Sequence, residues 1–442
     1  MRHPSLAALA FLLFQLLTAT LFLRPAELLT WLEGLPLYEG LIIGTFVLTA
    51  TSVQGHFQPF AMVRQPITYC AVGMLIAIVL SHLQHVYLGG VRASADQFVR
   101  TLVYYGLAVT CINTPGRLKA FLANVAGCTG LMVTLCLFDY WQIIDFQFIE
   151  HLRDLDGHDQ DGNPIFFYRM RGTGIFQDPN DLCMVIVAGG TLCSAFLFDK
   201  TLGAFRIFWC APLLVFAAAI LETKSRGGML AAVAATMTLL VFRFGTKFGI
   251  ACAVLGMCAL PLVAGRSANI DFSDGSTGHE RVELWLEGFE ALKSSDLFFG
   301  IGHGEYADMA GLVAHNSFVH AYVELGLFGG TLFFGCFFFA FLQLYRVGQM
   351  EEPLWHPDLI RFRPYITAVL VGWCVSMLSL SRCYIVPTFL VLGMAAAYLN
   401  LCWIHTRSLR PLIVWNRVQF LKLTAASATM FSGLYVFTRL FT

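Results

Sequence analysis

The feature that most constrains this chain is a succession of apolar stretches, each close to the length of a membrane-spanning helix. They fall at roughly 5–23, 28–52, 69–88, 97–113, 119–138, 181–198, 204–222, 227–243, 248–264, 321–345, 364–380, 384–402 and 424–441. About 20 apolar residues in a helix cross the hydrocarbon core. No water is there to satisfy the backbone, so each crossing must close its own hydrogen bonds as a helix. The expectation is an all-α polytopic membrane protein with about 12–13 transmembrane helices, forming one integral membrane domain over 1–442. The second, fourth and last stretches are the weakest of the set. The first follows Arg2 and shows no clear small-residue cleavage site, so it reads as a signal anchor.

Composition supports the same class. Only 13% of residues are charged, against about a quarter in soluble domains. That excludes an ordinary soluble enzyme, a disordered chain and a nucleic-acid binder with a basic face. The 13 cysteines lie almost all in apolar runs, with no CxxC pair. They read as small apolar residues rather than ligands or bridges.

Charge placement orients the chain. With the N-terminus inside, the inner loops together with Arg2 hold 15 of the 28 Lys and Arg but only four acids, Asp199, Glu351, Glu352 and Asp358. Basic inner loops are what the positive-inside rule requires. Two long stretches then lie outside: a loop at 139–180 with the acidic run Glu150–Asp161, and a larger loop at 265–320 with short helices. Loops of that length are usually functional or disordered. In the larger one, Val282, Trp285 and Phe289 share one face of an amphipathic helix suited to the membrane surface.

Three polar clusters carry the chemistry. Glu222-Thr-Lys-Ser-Arg-Gly-Gly228 forms a tight outer turn in which Lys224 and Arg226 run against the charge bias, and its paired glycines suit close backbone approach. Both cations read either as interfacial anchors or as a site for an anion, which Arg suits through its planar fork. Gly278-His-Glu-Arg281 opens the amphipathic piece, and Arg281 is either a solvated helix residue or a second guanidinium on that anion. His315-Asn316-Ser317 precedes a long apolar helix, which Asn316 or Ser317 caps. A fourth stretch, Arg169-Met-Arg171 to Asp178-Pro-Asn180, ends in a turn and a helix start. The loop histidines lack the spacing of a zinc motif, so neither a metal nor a cofactor is expected.

These pieces, in this order, resemble the superfamily of O-antigen ligases and Wzy-like O-antigen polymerases, bacterial polysaccharide membrane enzymes. The matching residues are Gly174–Asn180, Ser225-Arg226-Gly227, Arg281 with Trp285, Gly300-Ile-Gly302, His315-Asn316 and Glu324–Gly329. The resemblance is firmest over 165–335. It implies a GT-C-like membrane fold, a polyprenyl diphosphate-linked glycan as donor, and an active site facing the periplasm from the inner membrane. Arg226 and Arg281 match the arginines thought to hold the diphosphate, and His315 the histidine that assists the acceptor hydroxyl. Lys224, Arg171 and Asn316 are further substrate-binding candidates.

The acceptor is left open: lipid A core, a growing glycan and a protein side chain all occur in the superfamily. Partners are thus the donor glycolipid, a glycan or lipid-anchored acceptor and the bilayer, and no nucleic acid. The expected function is ligase-type glycosyl transfer, with the Wzy-like polymerase as the alternative. A transporter would place charge near mid-membrane, whereas these clusters lie at one face.

Overall fold

The computed structural model describes residues 4–146, 148–149, 151–158, 164–249, 251–252, 255, 277–293, 295–351, 354–407 and 409–442. Thirteen helices of 14 residues or more make up the described bundle. They are α1 (Pro4–Leu23), α2 (Leu37–His56), α3 (Pro66–Leu83), α4 (Leu88–Cys111), α5 (Pro115–Tyr140), α6 (Pro179–Leu197) and α7 (Cys210–Thr223). The rest are α8 (Arg226–Phe244), α9 (Thr277–Ala291), α10 (Ser317–Gly348), α11 (Pro357–Met377), α12 (Val386–Ile404) and α13 (Arg417–Phe441). The protein is an all-α polytopic membrane protein.

Local chemistry sets many of the helix starts. Proline occupies the first turn of α3, α5, α6, α11 and α12, where a missing N–H costs nothing. Side chains of Thr114, Asp178, Ser225, Asn316 and Asn416 accept first-turn N–H groups.

Ten described helices are long and apolar enough to cross a membrane, the one ending in α7 beginning back at Lys200. That is fewer than the 12–13 expected from sequence. Helices α2 and α4 run 20 and 24 residues but are more polar, α4 carrying an Asp96–Arg100 ion pair at 2.7 Å. The expected span at 248–264 falls largely outside the described residues. Helices α6 and α12 form the centre, with 78% and 83% of their apolar stretch buried, whereas α13 is 11% buried and peripheral.

Contacts separate two ends of the bundle. At one end Arg117 reaches the carbonyl of Ala7 (2.8 Å), Lys119 and Arg361 clasp buried Asp199, and Trp415 N–H donates to Val63 (2.7 Å). At the other, Thr173 bonds the carbonyl of Phe22 (3.1 Å), Met170 N–H donates to Glu222 (3.1 Å), and Arg382 pairs with Asp181. Helix α13 starts beside the first end and finishes at the second, where Arg439 pairs with Glu290 of α9. The last apolar segment therefore runs the length of the bundle and leaves Thr442 at the end opposite Ala7.

Three features depart from the sequence reading. The 139–180 stretch holds an antiparallel hairpin, β1 (Leu152–His158) with β2 (Pro164–Arg169), Leu152 opposite Arg169. The aromatic run Phe166-Phe-Tyr168 favours a strand, and an isolated hairpin is marginal in water. Here Tyr140 bonds the carbonyl of Tyr168 (3.1 Å) and Lys224 lies over the Phe167 ring (4.4 Å).

The apolar face of α9 does not lie on a membrane surface. Phe289 and Leu292 pack with Tyr306, Ala314, Val319 and Val323, and Phe289 meets Phe431 and Tyr435 of α13. Burial against protein, which is as apolar as lipid and can be shape-matched, replaces burial in the bilayer.

The long helix α10 is broken. Gly326 has φ 63° and ψ −170°, which ends the first piece and turns the chain into a second one. The freed carbonyls of Val323 and Glu324 accept N–H groups of Ile301 (3.0 Å) and Gly302 (3.1 Å), and Phe328 N–H donates to Phe298 (3.0 Å). Gly300 and Gly326 face this backbone-to-backbone contact, both with positive φ, and a Cβ on either would overlap the opposing main chain. The two glycine motifs thus serve one joint between the loop and α10.

Candidate active site

The site forms where β2, the α7–α8 turn, the start of α6, α9 and the start of α10 meet. Met170, just past β2, bonds the carbonyl of Glu222 at 3.1 Å, which places the 169–171 stretch beside the α7–α8 turn. Arg169 then reaches three elements at once. It donates to the Thr223 carbonyl (2.9 Å), to Asn180 Oδ1 (3.2 Å) and to Asp154 (3.2 Å). Asn180 Oδ1 also accepts from Ser225 Oγ at 2.7 Å.

Arg226 is the first residue of α8, exposed, immediately after the cap Ser225. The tight turn is closed by Lys224 at φ 49°. Gly227 and Gly228 lie so close to Ser379 and Cys183 that a Cβ on either would overlap them, which is the close approach expected from the paired glycines.

Arg281 stands on α9 one turn before Trp285, so both face the same side. Trp285 Nε1 donates to the Ala314 carbonyl at 2.6 Å. His315 follows with φ 49°, a left-handed conformation unusual for a residue with a Cβ. Asn316 then caps α10, its Oδ1 accepting from Phe318 (3.0 Å) and Val319 (3.2 Å). His315 is thus clamped on both sides, by an indole before it and a cap after it.

Electrostatics ties these residues into one site. Burial pulls the Arg281 guanidinium below its ordinary range, Asp178 opposes this, and the Arg169 and Arg226 cations add to it. Burial likewise pulls the His315 imidazole below its usual 6.5, helped by Arg281, Arg382 and His320 and opposed by Asp178. Arg281 and His315 therefore share the field of one carboxylate, Asp178. Arg281 is within reach of both Arg226 and His315, although 89 residues separate those two in sequence.

The other candidates have different surroundings. Lys224 is over Phe167. Arg171 follows β2, its main-chain N–H on His151 Nδ1 (3.4 Å), and its charge acts on the His151 that pairs with Asp139 at 3.0 Å. Asn316 is buried and its carbonyl oxygen is used in the cap.

Several residues here were not singled out from sequence as site candidates. Asp178 read as a helix start, and it is one, bonding Asn180 N–H at 2.7 Å. Its second part, the charge facing Arg281, needs the fold. Arg382 pairs through two nitrogens with Asp181, one bond at 2.7 Å, and its N–H takes Ser317 Oγ at 2.8 Å. A signal for it existed: Arg382, like Lys224 and Arg226, is a cation at the end that the charge bias leaves acidic. His320 and Glu324 pair at 2.9 Å on the first piece of α10.

Residues 211–334, which contain Arg226, Arg281, His315 and the jointed start of α10, match the family described as O-antigen ligase. Over this stretch the chain is similar to the O-antigen ligase, or Wzy-like, superfamily. No curated protein matches the chain. That match, within a polytopic helical bundle, supports a multi-pass membrane enzyme of the ligase or polymerase type. The match covers the α7–α8 turn, the loop helix and the histidine, and leaves the hairpin and both termini to the structure.

Proposed function

We propose that the protein is an inner-membrane glycosyltransferase of the O-antigen ligase type. It moves a glycan from a polyprenyl diphosphate carrier to an acceptor hydroxyl at the periplasmic face. The observation that carries this reading is that Arg281 stands within electrostatic reach of both Arg226 and His315. Two guanidiniums beside a neutral imidazole fit a reaction in which a diphosphate leaves and a hydroxyl attacks.

The acceptor oxygen forms a bond to the anomeric carbon as the bond from that carbon to the diphosphate oxygen breaks. The electron pair goes to the diphosphate, and the acceptor's proton goes to His315. Arg226 and Arg281 stabilise the charge that develops on the leaving group, a preorganised arrangement that costs no rearrangement during reaction. Arg bonds phosphate oxygens in pairs, which fixes the leaving group's direction as well as its charge. An imidazole held below 6.5 is neutral at pH 7 and ready to accept a proton. Direct attack inverts the anomeric configuration.

The test is mass analysis of lipid-linked glycans from a strain lacking the gene. Long polymer left on the carrier, restored to the acceptor by the wild-type chain but not by Arg281→Ala, is expected. Single repeat units on the carrier would instead make it a polymerase, and an unchanged profile would remove both.

A further inference from the structure

The first piece of α10 ends at the Gly326 break, so the rest of that helix does not fix the direction of its N-terminus. That N-terminus follows His315 and its cap Asn316, and its placement depends on what holds Ser317, the first residue of α10. Ser317 is fully buried and its hydroxyl is used twice. It donates to the Leu380 carbonyl and accepts the main-chain N–H of Arg382 at 2.8 Å.

Leu380 and Arg382 lie in the short connection between α11 and α12, outside the residues 211–334 that match the family. The same connection touches two other parts of the site. Ser379 lies against Gly227, the residue after Arg226, so closely that a Cβ there would overlap it. The Arg382 guanidinium pairs through two nitrogens with Asp181, which is 1% exposed and stands on the first turn of α6, just after the cap Asp178. Four consecutive residues, Ser379 to Arg382, thus reach the neighbours of Arg226, His315 and Asp178. Arg382 is also fixed at its carbonyl, which accepts from Thr388 Oγ1 at 2.7 Å.

We infer that Arg382 is a positioning residue for transfer: its two-point bond to Asp181 sets the 379–382 connection, which holds His315 in register with Arg226. This rests on the proposed function above, in which Arg226 takes the diphosphate and His315 the acceptor's proton. Charge alone does not supply the role, because Asp181 matches it. The planar guanidinium fixes two parallel bonds to a carboxylate, whereas a lysine ammonium is a point charge on a flexible stem. A reacting group displaced by about 1 Å costs on the order of a hundredfold in rate. A loose connection therefore slows transfer without weakening the hold on the donor.

Two variants of the full chain test this. Arg382→Lys keeps the charge that acts on His315 and removes the fork, and it has room, because Arg382 lines a cavity of about 870 Å³. Ser317→Ala keeps the ion pair and removes both bonds to the connection. Detergent-opened membranes from cells lacking the native copy supply donor and acceptor, and movement of labelled glycan is read per folded protein. Each variant should slow transfer about tenfold or more on the alkaline plateau. The double variant should be no slower than the worse single one, because both cut the same path. Binding of radiolabelled undecaprenyl diphosphate should stay within about twofold of wild type, as expected when rate is lost without binding. The acid limb of the pH profile should stay in place in Arg382→Lys. Wild-type transfer per folded protein in either single variant would overturn the inference, and so would losses that multiply in the double. Lost undecaprenyl diphosphate binding in Arg382→Lys would also overturn it, by making Arg382 a donor contact. Arg226→Ala and His315→Ala separate this from the reading beneath it. If both transfer normally, the proposed function itself fails. If both are inactive while Arg382→Lys matches wild type, only the positioning role fails.

Discussion

The indole N–H of Trp285 donates to the main-chain carbonyl of Ala314 at 2.6 Å, one residue before His315. This bond joins the helix that carries Arg281 to the loop that carries the histidine. Removing the donor while keeping the ring isolates its contribution. Trp285→Phe should lower transfer about fivefold, since a lost hydrogen bond of about 1 kcal/mol acts on the position of the proposed base. Thermal stability of the purified variant should change little. Wild-type transfer in Trp285→Phe would show that the loop holds His315 without it.

Transfer should be insensitive to pH from 7 upward and fall on the acid side. The histidine must be neutral to take the acceptor's proton, and burial with Arg281 and Arg382 nearby holds it below 6.5. The acid limb of kcat/KM should therefore have its midpoint below pH 6.5. Asp178 raises the His315 value, so Asp178→Asn should move that midpoint lower still. A limb at or above 6.5 in the wild type would contradict His315 as the base.

Asp178→Asn also separates capping from charge. Asn caps helices about as well as Asp, so the α6 start should survive and the protein should accumulate normally. The counter-charge beside Arg281 is lost, and transfer should fall about tenfold. Measuring transfer per folded protein, with Asp178→Ala alongside, distinguishes the two parts: only the Ala variant should also lose stability, by about 1 kcal/mol.

Gly300 tests the joint between the loop and α10. At φ 81°, with a Cβ overlapping the Glu324 main chain, Gly300→Ala should cost about 1–3 kcal/mol for the backbone conformation alone. The melting temperature should drop and transfer per folded protein should fall, because the same joint holds the piece of α10 that follows His315. An unchanged melting temperature would mean the loop can move away without consequence.

At the opposite end, burial pushes the Asp199 carboxyl up, but Lys119, Thr201 and Arg361 outweigh it and hold the group below the usual carboxylate range. A depressed carboxylate contributes stability above its unfolded value, lost as pH falls through its folded value. Asp199→Asn leaves Lys119 and Arg361 facing each other and should cost about 3 kcal/mol. Thermal unfolding at pH 7 checks this, and transfer per folded protein should be unchanged because the site lies across the bundle.

Sequence by itself determined the membrane class and most of the helices, and it singled out candidate positions for the chemistry. Apolar length and interior proline-started turns are local properties, so α5, α6, α8 and α12 could be read directly. The cations Lys224 and Arg226 were visible because they break a charge rule, and the glycine pairs because close backbone contact admits little else. Tertiary structure decided what meets what. The hairpin was hidden because its aromatic run is short and its supports, Tyr140 and Lys224, come from distant elements. The break at Gly326 was hidden because an apolar run does not report one residue of left-handed backbone, and only the loop at 298–302 supplies the N–H groups that make the break stable. Asp178 gave its cap to local reading and its charge only to the fold. Arg382, His303, His320 and Glu324 line one cavity from different elements, and no spacing within the sequence records which wall of which cavity a residue will line.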